Sequence, residues 1–226
     1  MVYAVVSDAH ANPVMLQTAL ADAKSAGAER FVFLGDASGR NGGAEETVKL
    51  VKAGFDVALM GNHDLVCAGL VPGADEPGAV HGDDFAQGAA LPAELSEWMK
   101  ARPYFHSERD AAFVHGSFVH PEYFDYVMDP DTALKSFRAR SERFLFVGHV
   151  HMAKIWELEP GGRVNEIDVP SPEEAFQSFG FLSADGCRYL VNAGSIGSPR
   201  DGYASYVVWD SDSGRITFRR QRMFAA

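Results

Sequence analysis

The sequence predicts an α/β protein made of two packed β-sheets with helices on the outside. In the first third of the 226-residue chain, apolar strand-like runs alternate with helix-like segments. After residue 151 the helical patterns stop, and short strand-like runs follow one another with turns between them. No linker is long enough to divide the chain, so we expect residues 1–226 to form a single domain.

The first third has a β-α-β-α-β order, which predicts a parallel sheet with right-handed crossovers. The first helix carries its own boundary signals: Asn12 suits the N-cap, Pro13 the first helical position, and Gly27 the residue after the last turn. The predicted strands are "VYAVVSD", "RFVFLGD" and "FDVALMGNHD", and the predicted helices are "NPVMLQTALADAKSAG" and "GGAEETVKLVKAG".

Residues 71–91 are rich in Gly, Pro and Asp, which predicts a long loop that we interpret as a lid over one face. In "EYFDYV" we interpret the aromatic residues as a packing stripe rather than a base-stacking platform. The strands after residue 151 should be largely antiparallel. The remaining predicted helices are "PAELSEWMKAR" and "PDTALKSFRAR", and the remaining strands are "AAFVHGS", "RFLFVGHVH", "AKIWELE", "GRVNEIDV", "RYLVNAGS", "YASYVVWD" and "RITFRR".

The charge balance limits the partners. Twenty basic and 31 acidic residues give a net charge of −11, and such a surface repels nucleic-acid duplexes and anionic membranes. We therefore expect neither as a partner. The first apolar run is too short for a secretory signal, and Cys67 and Cys187 form no zinc-type or redox pair. These features predict a cytoplasmic protein with reduced thiols.

Polar residues with metal-binding side chains follow the predicted strands. The carboxyl ends of strands line the ligand crevice in open α/β sheets, so we expect these side chains to converge. Five of the eight histidines fall in these short segments. The residues are Asp8 and His10 in "SDAHAN", Asp36 in "LGDASGRN", Asn62, His63 and Asp64 in "GNHD", His115 in "FVHGS", and His149 and His151 in "GHVH".

Carboxylate, imidazole and amide groups together suit borderline-to-hard divalent metals. Leaving His63 aside, the set is too large for one tetrahedral zinc ion. It is about right for two ions roughly 3.5–4 Å apart that share one carboxylate. His149 and His151 are two positions apart, so on an extended strand they would point the same way and each reach one ion.

These five blocks, in this order, resemble the pattern of the calcineurin-like metallophosphoesterase superfamily. The resemblance runs from residue 7 to about residue 200 and is closest to the small bacterial and archaeal phosphodiesterase-like members. It implies a four-layer αββα sandwich with two mixed β-sheets flanked by helices. It also implies two divalent metal ions, with Mn²⁺ favoured and Zn²⁺, Fe²⁺ or Fe³⁺, Ni²⁺ and Mg²⁺ as alternatives. By position, Asp8, His10 and His151 would hold the first ion, Asp36 would bridge, and Asn62, His115 and His149 would hold the second.

The implied reaction is hydrolysis of a small or nucleotide-like phosphate ester, by a phosphodiesterase or a phosphatase. A hydroxide bridging both metals would attack phosphorus in line, and His63 would protonate the leaving group as general acid. Arg40, Asn62 and Arg200 are candidate substrate-binding residues, since a guanidinium suits phosphate geometry. The sequence does not determine the native metal or the substrate. It also leaves the oligomeric state open, and a homo-oligomer is one alternative.

Three positions depart from family patterns. Ala11 stands where Gly is common, and Ala193 replaces the usual Pro of the late loop. In protein serine/threonine phosphatases, a second aspartate orients the catalytic histidine, and Gly39 stands at that position here. His63 therefore needs another orienting partner, for which Asp64 is the candidate.

Two other functions stay open. A protein serine/threonine phosphatase is favoured by Arg40 and disfavoured by Gly39 and the short chain. A non-enzymatic scaffold, like the retromer subunit that resembles these phosphoesterases, is disfavoured by the presence of His63.

Overall fold

The computed structural model describes residues 1–70, 91–173 and 176–223. Apart from residue 91, the predicted lid at 71–91 lies outside the described residues. The helices are α1 (Pro13–Ser25), α2 (Ala44–Gly54), α3 (Asn62–Cys67), α4 (Ala93–Lys100) and α5 (Pro130–Ala139), with a 3₁₀ turn at Pro121–Tyr123. The strands are β1 (Val2–Val6), β2 (Arg30–Phe33), β3 (Val57–Ala58), β4 (Phe105–Glu108), β5 (Ala111–Val114), β6 (Phe144–Val147), β7 (Ala153–Leu158), β8 (Val164–Ile167), β9 (Phe176–Leu182), β10 (Arg188–Ala193), β11 (Tyr203–Asp210) and β12 (Arg215–Arg222).

In the described part of the chain, the strands form two sheets with six strands each. The first has the order β3-β2-β1-β11-β12-β9, and the second has the order β4-β5-β6-β10-β7-β8. β1 pairs with β2 and β2 with β3 in parallel, as the β-α-β-α-β pattern predicts. Strands β7 to β12 pair mostly antiparallel, with β10 on β6 as the parallel exception. The prediction of two mixed sheets flanked by helices is confirmed.

Alternating side chains along the central strands divide the core into layers. In β1, Tyr3 and Val5 pack between the two sheets, whereas Ala4 and Val6 face the helices outside the first sheet. In β6, Phe146 packs between the sheets, whereas Leu145 joins the cluster that contains Phe137 of α5. Successive residues of a strand point to opposite faces, so each sheet is buried on both sides. The result is the four-layer sandwich.

Helix α1 begins and ends where its sequence signals predict. The Asn12 side chain accepts a hydrogen bond of 3.1 Å from the backbone N–H of Met15, and Pro13 occupies the first turn. Gly27 has a φ of +83°, a left-handed conformation that glycine adopts without steric cost. This helix packs against α2 on the outside of the first sheet.

The third predicted strand is shorter than expected. Only Val57–Ala58 is extended, and the "GNHD" block begins helix α3 instead of ending a strand. Strands β4 and β9 are not apparent from the sequence. β4 reads "FHSE", which is too polar to stand out, and it forms by pairing with the buried strand β5. In the described part of the chain, no helix is both long and apolar enough to cross a membrane.

Candidate metal centre

Most of the candidate ligands lie on loops that follow the C-terminal ends of strands in the two sheets. β1 and β2 of the first sheet lead to Asp8 and Asp36, and β5 and β6 of the second lead to His115 and His149. The backbone N–H of His149 donates to Asp8 Oδ2 at 3.0 Å, so the two sheets are joined directly at the site. The site therefore lies where loops of the two sheets meet.

Five of the candidate ligands have a left-handed backbone. Their φ values are 57° for Asp8, 46° for His10, 60° for Asp36, 65° for His149 and 62° for His151. Residues other than glycine adopt this region at a cost of about 1–3 kcal/mol each, and such residues cluster at functional sites. Contacts with the surrounding residues must therefore stabilise the left-handed backbone of these five ligands.

The explanation of the His149–His151 spacing by an extended strand is wrong. β6 ends at Val147, and both histidines lie beyond it in left-handed conformations. Their side chains still enter different ligand groups, but the sharply turned loop directs them there.

Two groups of potential ligands share one carboxylate. Within each group, the ligand atoms lie within 4.8 Å of one another. In the first group, His10 Nε2 lies 2.9 Å from His151 Nε2, and His151 Nε2 lies 3.1 Å from Asp8 Oδ1. The groups are Asp8, His10, Asp36 and His151, and then Asp36, His115 and His149.

Asn62 joins the second group, because its Oδ1 lies 3.2 Å from His115 Nε2. The same His115 nitrogen lies 3.4 Å from Asp36 Oδ2, and Asp36 Oδ2 lies 3.8 Å from His10 Nε2. The structure thus brings all seven sequence-predicted ligands together.

Each buried carboxylate accepts a backbone hydrogen bond with one oxygen and leaves the other oxygen available to a metal ion. Asp8 Oδ2 accepts from the His149 backbone, and Asp36 Oδ1 accepts from the backbone N–H of His63 at 2.9 Å. Asp8 Oδ1 and Asp36 Oδ2 are fully buried and accept no well-aligned hydrogen bond. A buried anionic oxygen without a partner is strongly unfavourable. Cations bound among the imidazole nitrogens would satisfy both.

The electrostatics of the cluster keep its carboxylates ionised. Burial acts to raise the pKa of Asp8, but the His151 and His115 imidazoles outweigh it and hold that pKa well below its usual value. Asp36 shows the same balance, with His115 and His63 lowering its pKa. The cluster therefore offers the anionic oxygens that a cation needs.

The two imidazoles of the second group differ. Burial acts to lower the pKa of His115, but the Asp36 and Asp8 carboxylates outweigh it and raise the pKa to about 9. Burial, together with the nearby His115, lowers the pKa of His149 to about 3. Metal ligands must be deprotonated, so a cation bound here would displace the proton of His115.

These residues fit two divalent cations. Ligands bound at about 2.0–2.2 Å in a tetrahedral arrangement are about 3.4 Å apart, which matches the spacing of the imidazole and carboxylate atoms described above. His151 Nδ1 lies 2.7 Å from the Ser198 carbonyl, a contact that leaves Nε2 to bind a metal. The mixed donor set suits Mn²⁺, Zn²⁺, Fe²⁺ or Ni²⁺.

His63 lies at the start of α3, beside the first group. Its ring meets the ring of His10 edge-on at 4.8 Å between centroids, and 5% of the residue is exposed. A Cβ on Gly39 would lie 2.6 Å from His63 Nδ1, so glycine is required where the phosphatase pattern has aspartate. The ring of His63 is positioned by close packing.

The prediction that Asp64 orients His63 is wrong. Asp64 Oδ1 accepts from the backbone N–H and the hydroxyl of Ser38, and Oδ2 accepts from the backbone N–H of Asp36 at 2.8 Å. Consecutive residues of a helix point about 100° apart, so Asp64 faces this loop and not the ring of His63. Burial and the nearby Asp36 charge raise the pKa of Asp64 to about 6. Asp64 therefore positions Asp36.

Arg40 and Arg200 are both exposed. Arg40 follows Gly39 on the loop after β2 and has a φ of 45°. The backbone N–H of Arg200 donates to the His151 carbonyl at 3.1 Å, which places the residue next to the first group.

Sequence reasoning missed Tyr126, whose ring stacks on His149 with 4.1 Å between centroids and 10° between planes. Tyr126 is 45% exposed and Tyr123 is 38% exposed, so the packing-stripe interpretation is wrong for both, although it holds for the buried Phe124. No local signal separates the exposed tyrosines from the buried phenylalanine.

The end of β10 and the loop after it, residues 192–200, also brace the site, a role that the sequence analysis did not assign to them. Ser195 Oγ donates to the Asp8 carbonyl at 2.8 Å, and Asn192 Nδ2 donates to the Gly148 carbonyl at 2.7 Å. Both residues are buried and hold the backbone of ligand-bearing loops.

A profile of the calcineurin-like phosphoesterase superfamily domain matches residues 1–214. The chain belongs to this family. A metallophosphoesterase from Sphaerobacter thermophilus has a similar crystal structure, with a TM-score of 0.80, 27% identity and coverage of 99% of this chain and 89% of that one. The uncharacterized protein MJ0912 of Methanocaldococcus jannaschii is 27% identical over 230 residues, covering 96% of this chain and 86% of that protein. A metal-dependent phosphoesterase is the activity that this membership and the Asp/His cluster fit.

Proposed function

We propose that this protein hydrolyses small phosphate esters with two divalent metal ions, Mn²⁺ being favoured. One observation carries the proposal: two buried ligand groups share Asp36, and the free carboxylate oxygens face the imidazole nitrogens. Membership of a phosphoesterase family and the likeness to a metallophosphoesterase support it.

The bound ions would supply polarisation of the phosphoryl oxygens and an acidic water for attack. This chain's residues supply the proton for the leaving group and the side-chain donors that bind the phosphoryl group. His63 is held beside His10 of the first ligand group, where it can donate a proton to the departing alkoxide. Asn62 and the exposed Arg40 and Arg200 can bind phosphoryl oxygens through their side-chain donors.

The test is turnover of bis-p-nitrophenyl phosphate and p-nitrophenyl phosphate with added Mn²⁺. We expect His63→Ala to lower kcat by about 10²–10⁴-fold while the metal content stays at the wild-type level. Asp36→Asn should lower both metal content and kcat, because Asp36 belongs to both groups. His120→Ala is the matched control, since His120 is an exposed histidine outside both groups.

Two results would reject the proposal. One is full turnover after removal of the metal with a chelator. The other is a His63→Ala variant as active as wild type. A metal-loaded protein that is inert on a broad panel of phosphate esters would favour the scaffold alternative, and phosphopeptide turnover far above that of the nitrophenyl esters would favour a protein phosphatase.

A small phosphate ester in the cytoplasm is the proposed substrate and location. The net charge of −11 supports a small substrate over a nucleic-acid duplex or a membrane. Cys67 and Cys187 are both free thiols, which supports a reducing compartment such as the cytoplasm. Sedimentation measurements would show whether the chain forms a homo-oligomer.

A further inference from the structure

An aromatic residue and a cation form one surface at the mouth of the candidate site. The Tyr126 ring lies parallel to the His149 imidazole at 4.1 Å, and the Arg200 guanidinium lies 5.7 Å from the centre of the same ring. His149 is 7% exposed, whereas Tyr126 is 45% exposed. An exposed ring fixed on a ligand of the cluster can contact whatever binds there.

The position of Tyr126 differs from that of His63. His63 lies against His10 of the first group, and Tyr126 lies against His149 of the second. The two side chains therefore flank different halves of the cluster. A phosphodiester has two organic arms, and only the arm that leaves needs a proton from His63.

We propose that Tyr126 is a specificity-determining residue that contacts the retained arm of a phosphodiester and favours a planar aromatic arm. This inference rests on the proposed function. Stacking on an aromatic ring accepts any π face, and an aromatic arm on Tyr126 would lie near the Arg200 guanidinium, which is 5.7 Å from the centre of the Tyr126 ring. The two together select for an aryl or nucleobase-like arm over a small aliphatic one.

The first test compares two phosphonates that differ only in the arm. Phenylphosphonate and methylphosphonate are titrated into the Mn²⁺-loaded protein by calorimetry. We expect wild type to bind the phenyl compound about tenfold more tightly. Tyr126→Ala should bring the affinity ratio close to one while the affinity for methylphosphonate stays within about twofold. Tyr126→Phe should keep the ratio, because it keeps the ring.

Tyr123→Ala is the matched control. Tyr123 is a nearby exposed tyrosine that stacks on His120, outside both ligand groups, so its removal should leave the ratio unchanged. An equal ratio in wild type and Tyr126→Ala overturns the inference. So does a parallel loss of affinity for both phosphonates together with metal content, because Tyr126 would then act only by packing on His149.

The second test uses p-nitrophenyl phenylphosphonate and p-nitrophenyl methylphosphonate, which share one leaving group. Tyr126→Ala should lower kcat/KM for the phenyl ester about tenfold, mainly through KM, with little change for the methyl ester. If wild type hydrolyses neither these two esters nor the two nitrophenyl phosphates, the proposed function fails, while the phosphonate affinities still decide the role of Tyr126. If wild type hydrolyses both and the variant keeps the preference, only this inference fails.

Discussion

At the scale of single residues, the site depends on backbone conformations that are unfavourable in isolation. Asp8, Asp36 and His149 all have a left-handed backbone, and each is held there by contacts from another loop. Asp64 makes such contacts, because its carboxylate accepts hydrogen bonds from the backbone N–H groups of Asp36 and Ser38. The position of each ligand is therefore a property of several loops together.

Gly39 offers a sharp test of this packing. It has a φ of +93°, and a Cβ there would lie 2.6 Å from His63 Nδ1. We expect Gly39→Ala to lower the free energy of unfolding by about 1–2 kcal/mol, because alanine is strained in the left-handed region. Displacement of the His63 ring should also lower kcat by about 10²-fold. Urea unfolding and ester turnover measure the two effects.

Gly42→Ala is the matched control for that substitution. Gly42 lies on the same loop, and a Cβ there would meet nothing within 4 Å. It should change neither stability nor turnover appreciably. Equal effects at the two glycines would contradict the role assigned to close packing against His63.

At the scale of elements, helix α1 is tied to the first sheet by a polar network as well as by its apolar face. The Asp22 carboxylate accepts from the Arg219 guanidinium of β12 at 2.5 and 2.9 Å and from the Tyr206 hydroxyl of β11 at 2.6 Å. Burial acts to raise the pKa of Asp22, but the hydrogen bonds from Arg219 and Tyr206 outweigh it and lower that pKa. The ionised form of Asp22 therefore stabilises the fold.

A pH dependence follows for Asp22→Asn. A carboxyl whose folded-state pKa is lowered stabilises the protein above its unfolded pKa of about 3.9, and this contribution is lost as pH falls through the folded pKa. We expect the variant to be less stable than wild type by about 1–3 kcal/mol at neutral pH, and the difference to shrink below about pH 4.

Urea unfolding at pH 7 and pH 3 would measure this difference, with Asp131→Asn as the control. Asp131 is an exposed residue in the first turn of α5, outside this network. A stability difference between Asp22→Asn and wild type that is the same at both pH values would contradict the assignment.

At the scale of the whole molecule, the candidate metal centre brings together residues from the two sheets. Asp8 and Asp36 follow strands of the first sheet, and His115 and His149 follow strands of the second. Ligands that bind only the folded state stabilise it by mass action. Cations bound to this cluster should therefore stabilise the whole sandwich.

We expect Mn²⁺ at about 100 times its dissociation constant to stabilise the protein by about 2.7 kcal/mol. For a chain of this size, that corresponds to a rise in Tm of roughly 5–10 °C. Asp36→Asn should lose this response, whereas the exposed Asp131→Asn should keep it. Thermal scans with and without Mn²⁺ measure the shift, and an unchanged response in Asp36→Asn would argue against a shared carboxylate.

Local patterns in the sequence predict much of the fold and the identity of the ligands. The caps of α1 lie within a few residues of the helix, and the apolar runs that become β1, β2 and β6 are continuous in the chain. The seven candidate ligands could be named from the sequence because each lies in a short motif block of a few consecutive residues, which can be recognised without knowing the fold. Strand β4 could not be predicted, because it depends on its pairing with β5.

The sequence by itself determined which side chains are available to bind metal and that β1, β2, β5 and β6 lead to most of them, although Asn62 lies on helix α3 and not at a strand end. Only the tertiary structure decided how they are aimed: Asp64 braces Asp36, the His149 loop is left-handed, and Tyr126 covers His149. The physical reason is that these arrangements depend on contacts between distant segments. The bond from the His149 backbone to Asp8, for example, joins residues 141 positions apart, beyond the reach of any local periodicity.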